Sequence, residues 1–154
     1  MRSTGFLGLV FVRSGKLYFY FRWKLLREPQ GEILGTEKDE HEDGSYHLMI
    51  TKTSEEILAV GRVHKLKKES NDMYAQIRYM AVSENHRREG LGTTILNNLE
   101  QYAFNNNVNK IILHAREGAI DFYKKNGYEV IKKTHILYNS IQHWMMLKNN
   151  NISI

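Results

Sequence analysis

Apolar positions recur in this chain at two spacings, and each change of spacing marks a new element. Between Glu89 and Phe104, Leu91, Ile95, Leu99 and Ala103 return every four residues, with Leu96 and Tyr102 beside them. Asn97, Asn98, Gln101 and Asn105 fall elsewhere on the wheel, which predicts an amphipathic helix. Another helix is predicted from near Ser14, with Leu17, Phe21 and Leu25 on its apolar side. Pro29, in Arg27-Glu-Pro-Gln-Gly31, should end it, because the residue before a proline is steered away from helical angles. A further helix, Glu117–Lys125, is stopped by Asn126-Gly127, where glycine suits a left-handed C-terminal position.

The remaining apolar runs read as strands. Phe6–Val12 is predicted to be a buried first strand. It is too short for a signal sequence, Arg13 and Lys16 follow closely, and no small-residue cleavage site is present. Tyr46–Thr51, Ile57–Leu66, Met73–Val82, Lys110–Ala115, Tyr128–Lys132 and Ile141–Leu147 are the others, and Gly35–Ser45 is a polar, acidic loop. The order β-α-β-β-β-α-β-α-β-β calls for a mixed sheet with helices packed on it. The run Ile111-Ile112-Leu113 argues for a strand covered on both faces. No stretch reaches the length of a membrane span.

Composition narrows the chemistry. The 154 residues suit one domain, 1–154, with a sizeable core. The absence of cysteine excludes disulfides, thiolate metal sites and cysteine catalysis, and it fits a cytoplasmic protein. The net charge of +5 suits a polyanionic ligand, either a nucleic acid or a phosphorylated cofactor. Basic residues are scattered in short pairs, with no helix of clustered Arg and Lys and no aromatic platform motif, so a nucleic-acid partner is not expected. No metal is expected either: the histidines form no His-Glu-x-x-His pattern, and Asp39-Glu-His41-Glu lacks calcium-loop spacing. Hydrolysis through Ser, His and Asp finds no Gly-x-Ser-x-Gly elbow.

The most informative segment is Ile77-Arg-Tyr-Met-Ala-Val-Ser-Glu-Asn-His-Arg-Arg-Glu-Gly-Leu-Gly92. It leads from a strand, through a turn with two close glycines, into the amphipathic helix. The first amides of a helix lack internal partners and its dipole is positive there, so such a turn can cradle a diphosphate, with Arg87 and Arg88 adding charge. It is not a P-loop, since no Lys-Ser/Thr follows the glycines, and it lacks the third glycine of a dinucleotide fingerprint.

Arg87-x-x-Gly90-x-Gly92 after Tyr79-Met-Ala-Val82 resembles the acetyl-CoA signature of the GNAT superfamily of N-acetyltransferases. His114-Ala-Arg-Glu-Gly-Ala-Ile-Asp-Phe-Tyr-Lys-Lys-Asn-Gly-Tyr128 resembles the second cofactor motif of that family, with Ala119, Tyr123, Gly127 and Tyr128 at the matching positions. The resemblance implies an α/β (α+β) fold with a mixed, mostly antiparallel central sheet of about seven strands flanked by helices. It implies acetyl-CoA as cosubstrate and transfer of its acetyl group to a primary amine. Met80, Ala81 and Val82, on a bulged strand, would meet the pantetheine arm. Arg87, Arg88, Glu89, Gly90, Leu91, Gly92 and Thr93 would meet the phosphates. Arg116 stands where many relatives have an asparagine that contacts the cofactor, and Lys124 and Lys125 either approach the 3′-phosphate or are solvated surface.

Tyr123 would be the general acid that protonates the departing thiolate. An alkylamine acceptor is only about 0.04% neutral at pH 7, so a base or water relay is needed too. Glu84, His64 and His143 are the candidates. Without cysteine, direct transfer in a ternary complex is favoured over an acyl-enzyme. A module that binds acyl-CoA without turnover is the alternative.

The N-terminal third is similar to a group of small bacterial ElaA-like GNAT proteins. The similarity rests on Arg22-x-x-x-Leu-Arg27-x-Pro-x-Gly31, Glu37-Lys-Asp-Glu40, Gly61-Arg62 and Ile141-x-His143-x-x-Met146. The acidic segment Glu37–Asp43 either attracts a cationic amine or is a solvated loop. The open edges of such sheets pair between subunits, so a homodimer is an expectation.

Overall fold

The computed structural model describes residues 8–12, 15–53, 55–66 and 71–150. Its elements are β1 (Gly8–Phe11), α1 (Lys16–Leu26), β2 (Tyr46–Thr51), β3 (Ile57–Lys65), β4 (Tyr74–Val82), α2 (Leu91–Asn105), β5 (Lys110–Arg116), α3 (Ile120–Lys125), β6 (Glu129–Leu137) and β7 (Ile141–Asn149), in the predicted order. The strands form one seven-stranded sheet, ordered β1-β2-β3-β4-β5-β7-β6. It is mostly antiparallel, as in the pairs β1 with β2, β5 with β7 and β6 with β7, whereas β4 and β5 run parallel. This is the mixed architecture expected. Among the described residues no helix is long and apolar enough to cross a membrane.

The chain divides into two units. One comprises the chain up to Arg62 together with Tyr79–Leu99, the other Val63–Arg78 together with the chain from Glu100 onward.

In the first unit, Val12, Tyr18, Val60 and Ala81 form a buried cluster that Phe19, Phe21, Leu25, Leu26, Met49 and Ile57 pack against. Helix α1 buries the predicted side only in part, through Phe21 and Leu25. Leu17 is 52% exposed, whereas Tyr18 and Arg22, one turn apart, are closed to solvent. A fully buried arginine on that row defeats a reading based on hydrophobicity alone. The helix ends at Leu26, and Pro29 follows in a 3-10 turn, as expected.

The expectation for the first strand is corrected. Phe6 and Leu7 lie outside the described residues, and Leu9, Val10 and Phe11 are exposed. Strand β1 stands at the edge of the sheet, with β2 as its single neighbour. Gly61 on β3 lets the neighbouring side chains close in: a Cβ there would lie 2.5 Å from Ile95 Cγ2 and 2.9 Å from Leu99 Cδ1 of α2.

In the second unit, β5 alternates, with Ile111, Leu113 and Ala115 buried and Ile112 only half-buried, so full cover on both faces is not found. β6 and β7 continue beyond their predicted ends and form a hairpin. Its turn residues Tyr138 and Asn139 both take positive φ, 54° and 58°, as a tight hairpin turn requires. Glycine, the usual marker of such a turn, is absent, which is why the sequence ended the strand early. Lys148 of β7 donates to Glu100 Oε1 at 2.9 Å and to the Asn126 carbonyl at 2.9 Å, which anchors the end of α3.

Candidate active site

The phosphate turn lies in the first unit. After β4 the chain makes a 3-10 turn at Glu84–His86, passes through extended Arg87 (φ −70°, ψ 155°) and enters α2 at Leu91. Arg88 and Gly90 both take left-handed angles, φ 65° and 79°. A Cβ at Gly90 would have nothing within 4 Å, so glycine serves the backbone angle here and leaves open space above the turn. Alternating left-handed residues gather successive N–H groups into an anion-binding concavity, and the positive end of the 15-residue helix α2 adjoins it. Arg87, Arg88, Glu89 and Gly90 are exposed, Gly92 and Thr93 are half-buried, and Leu91 anchors the turn in the core. His86 Nδ1 lies 3.3 Å from Glu89 Oε2 across the turn. These residues fit a diphosphate.

Upstream, β4 carries its irregularity at Tyr79, whose φ of 58° breaks the pleat one residue before Met80. Ala81 is buried, and Met80 and Val82 are half-buried. Glu84 is exposed on the 3-10 turn that follows.

The acidic segment Glu37–Asp43 is solvated only in part: Glu40 and Asp43 are exposed, whereas Asp39 and Glu42 turn to buried arginines. Glu42 accepts from Arg22 through both carboxylate oxygens at 2.9 Å and from Arg62 Nη1 at 2.8 Å. Asp39 accepts from Arg62 Nη1 and Nη2 at 2.6 and 2.9 Å. Arg22 also donates to the Glu37 carbonyl. Both arginines are 0% exposed. Burial would push the Glu42 carboxyl up, but the hydrogen bonds from Arg22 and Arg62 outweigh it and hold the group below its usual range. His47 donates from Nε2 to the Glu42 carbonyl at 2.8 Å, so its Nδ1 accepts the Tyr18 hydroxyl at 2.9 Å, and burial depresses its pKa. The ring of Tyr79 lies against this network.

The second unit holds Tyr123 on α3. It is 8% exposed, with its ring edge-on to Phe122 and Tyr128 at 5.0 and 5.8 Å. Burial pushes its phenol far above the ordinary tyrosine value, and the charge of Arg116 pulls back against that rise. The hydroxyl therefore keeps its proton at neutral pH. Arg116 ends β5 directly opposite His143 of β7. His143 is 7% exposed, and its Nδ1 lies 3.0 Å from the Ile141 carbonyl. A carbonyl only accepts, so Nδ1 carries the hydrogen and Nε2 is the basic nitrogen of the neutral ring. The imidazole stacks on His135 at 4.5 Å, and His135 meets His114 at 5.5 Å. Burial, with the neighbouring imidazoles of His135 and His143 and the charges of Arg78 and Lys132, lowers the pKa of His114. His64 is buried in β3, and Lys124 and Lys125 are exposed.

Each unit thus assembles part of the predicted set: Met80–Thr93 along one continuous segment in the first, and Tyr123, Arg116 and His143 in the second. Residues 15–128 match the sequence profile of the Acetyltransferase (GNAT) family. This chain belongs to that family. The acetyltransferase is 31% identical over 131 residues to the uncharacterized N-acetyltransferase YjcF of Bacillus subtilis, a match covering 85% of this chain and 89% of that protein. Its fold is similar to that of a GNAT family acetyltransferase from Elizabethkingia anophelis with acetyl-CoA bound (TM-score 0.70, 12% identity, 94% and 98% of the two chains). It is similar also to an aminoglycoside 6′-N-acetyltransferase complexed with coenzyme A (TM-score 0.73, 13% identity, 92% and 96%). The activity of the acetyltransferase is acetyl transfer from acetyl-CoA to an amine.

The pairing of the motif residues Arg22 and Arg62 with Asp39 and Glu42, and two backbone angles, were not read from the sequence. Left-handed angles at Tyr79 and Arg88 leave no mark in residue type. The Arg22–Arg62 network left one: a single arginine inside the aromatic run Tyr18-Phe-Tyr-Phe-Arg22-Trp23.

Proposed function

We propose that the acetyltransferase moves the acetyl group directly to a primary amine within a ternary complex. The backbone of Arg87–Thr93 binds the diphosphate, and Met80–Val82 pair with the pantetheine arm. The observation that carries this reading is the left-handed pair Arg88 and Gly90 at the start of α2. Acetyl-CoA supplies the activated thioester. The amine nitrogen bonds to the carbonyl carbon, the carbon–sulfur bond breaks, and the Tyr123 hydroxyl gives its proton to the sulfur. The phenol is protonated at the start, and its assignment rests on the place of Tyr123 in the second motif rather than on its raised pKa. His143 Nε2 takes the proton from the amine, ahead of Glu84, whose exposed position gives it no fixed geometry. Arg116 acts through its charge on Tyr123. The protein works as a homodimer, a reading supported by the exposed apolar edge strand β1.

The test is Tyr123→Phe, assayed by thiol release against a panel of amines. The expected result is a fall in kcat of about 100-fold, with acetyl-CoA affinity by calorimetry within twofold of the parent. A variant with full kcat removes Tyr123 from the mechanism.

A further inference from the structure

Tyr79 sits near the end of β4 with a left-handed backbone, φ 58°. A bulky aromatic residue does not hold such an angle by itself, so its surroundings must impose it. Three guanidinium groups gather around its ring. The Cζ atoms of Arg22, Arg62 and Arg27 lie 3.7, 4.9 and 5.6 Å from the centre of the Tyr79 ring. These groups are themselves fixed. Glu42 and Asp39 grip Arg22 and Arg62 through the hydrogen bonds given above, and Arg27 Nε donates to the Thr36 carbonyl at 3.1 Å. The ring is 9% exposed.

We infer that Arg22 and Arg62, held by Glu42 and Asp39, form a positioning clamp on the Tyr79 ring. The clamp fixes the bulge of β4 and so presets the backbone of Met80–Val82 for the pantetheine arm. The inference rests on the proposal that Met80–Val82 receive that arm. It also gives the acidic segment a purpose: its carboxylates are the counter-charges that keep two buried cations over an aromatic ring. A guanidinium can present a plane to a ring while its edge donates to carboxylates, and an ammonium cannot do both. Both cations are closed to solvent, so in the clamp they act through Tyr79.

Calorimetry with acetyl-CoA and with adenosine 3′,5′-bisphosphate, which lacks the pantetheine arm, tests the clamp. Tyr79→Leu has neither the ring nor a preference for left-handed angles. It should bind acetyl-CoA about tenfold more weakly while its affinity for the bisphosphate holds. KM for acetyl-CoA should rise by more than kcat falls. Tyr79→Phe keeps the ring and stays within about twofold of the parent. Tyr79→Asn tolerates the left-handed angle without a ring and recovers part of the loss. Arg22→Lys keeps the charge beside Glu42 but not the flat face, and should weaken acetyl-CoA about threefold; it decides the matter if Tyr79→Leu does not fold. Unchanged acetyl-CoA affinity in the deciding variant overturns the clamp, and so does equal weakening of both ligands. A parent protein that binds the bisphosphate as tightly as acetyl-CoA overturns instead the reading of Met80–Val82 as the arm site.

Discussion

Arg62 is 0% exposed and hydrogen-bonds to two carboxylates, so its removal takes two guanidinium bonds from Asp39 and leaves Glu42 with Arg22. Breaking a buried pair from one side costs about 3–5 kcal/mol. Arg62→Met should therefore lower the melting temperature by about 10 °C, measured by circular dichroism. The same network sets an acid limit on stability, in two limbs. His47 is held neutral, below its ordinary 6.5, so the folded state binds its proton less readily than the unfolded chain. Its contribution is complete above about 6.5 and is lost as the pH falls from there toward the folded value. His114, depressed in the same way, adds to this limb. Glu42 is also depressed, below 4.5, so its contribution persists above that value and is lost as the pH falls through its lower folded value. Melting curves from pH 8 to 4 should be flat, then decline below about 6.5, then steepen below about 4.5. His47→Gln should shrink the first limb and leave the second.

Helices and strands here are positioned by what happens between them. The start of α2 depends on the left-handed Gly90, where a side chain meets no neighbour but the backbone angle is unfavourable for any L residue. Gly90→Ala should cost about 1 kcal/mol in thermal unfolding and weaken acetyl-CoA severalfold in calorimetry, since the turn relaxes away from the phosphate. A normal affinity would show that the turn's angle is not what binds. The apolar spacing of Leu91, Ile95, Leu99 and Ala103 made α2 legible, because a helix that buries one stripe repeats every turn. The same logic served α1 only in part, since Phe21 and Leu25 pack against the core but the fully buried row Tyr18–Arg22 contains a charge. It failed again at the end of β6, where Tyr138 and Asn139 take up a turn usually flagged by glycine.

At the scale of the whole molecule, a net charge of +5 meets a polyanionic cosubstrate. Acetyl-CoA at 100 times its Kd should add about 2.7 kcal/mol to folding stability, raising the melting temperature by about 5–10 °C in scanning calorimetry. Raising the salt concentration should shrink that shift, because Arg87 and Arg88 are exposed and their attraction is screened. The order of elements, the glycine turn and the Ala119–Tyr128 segment could be read directly, since each depends on neighbours within a few residues or on one repeating period. Those local patterns determined the fold class and the family, and they carry the proposal for where the cosubstrate binds. Charge pairing across distant segments obeys no such period. Only the tertiary structure decided that Glu42 and Asp39 belong to Arg22 and Arg62, 20 and 23 residues away along the chain, and that the edge strand β1 lies open. A hydrophobic pattern records which residues leave water. The partner of a buried charge, and the backbone angle it enforces at Tyr79, exist only once the chain has closed around them.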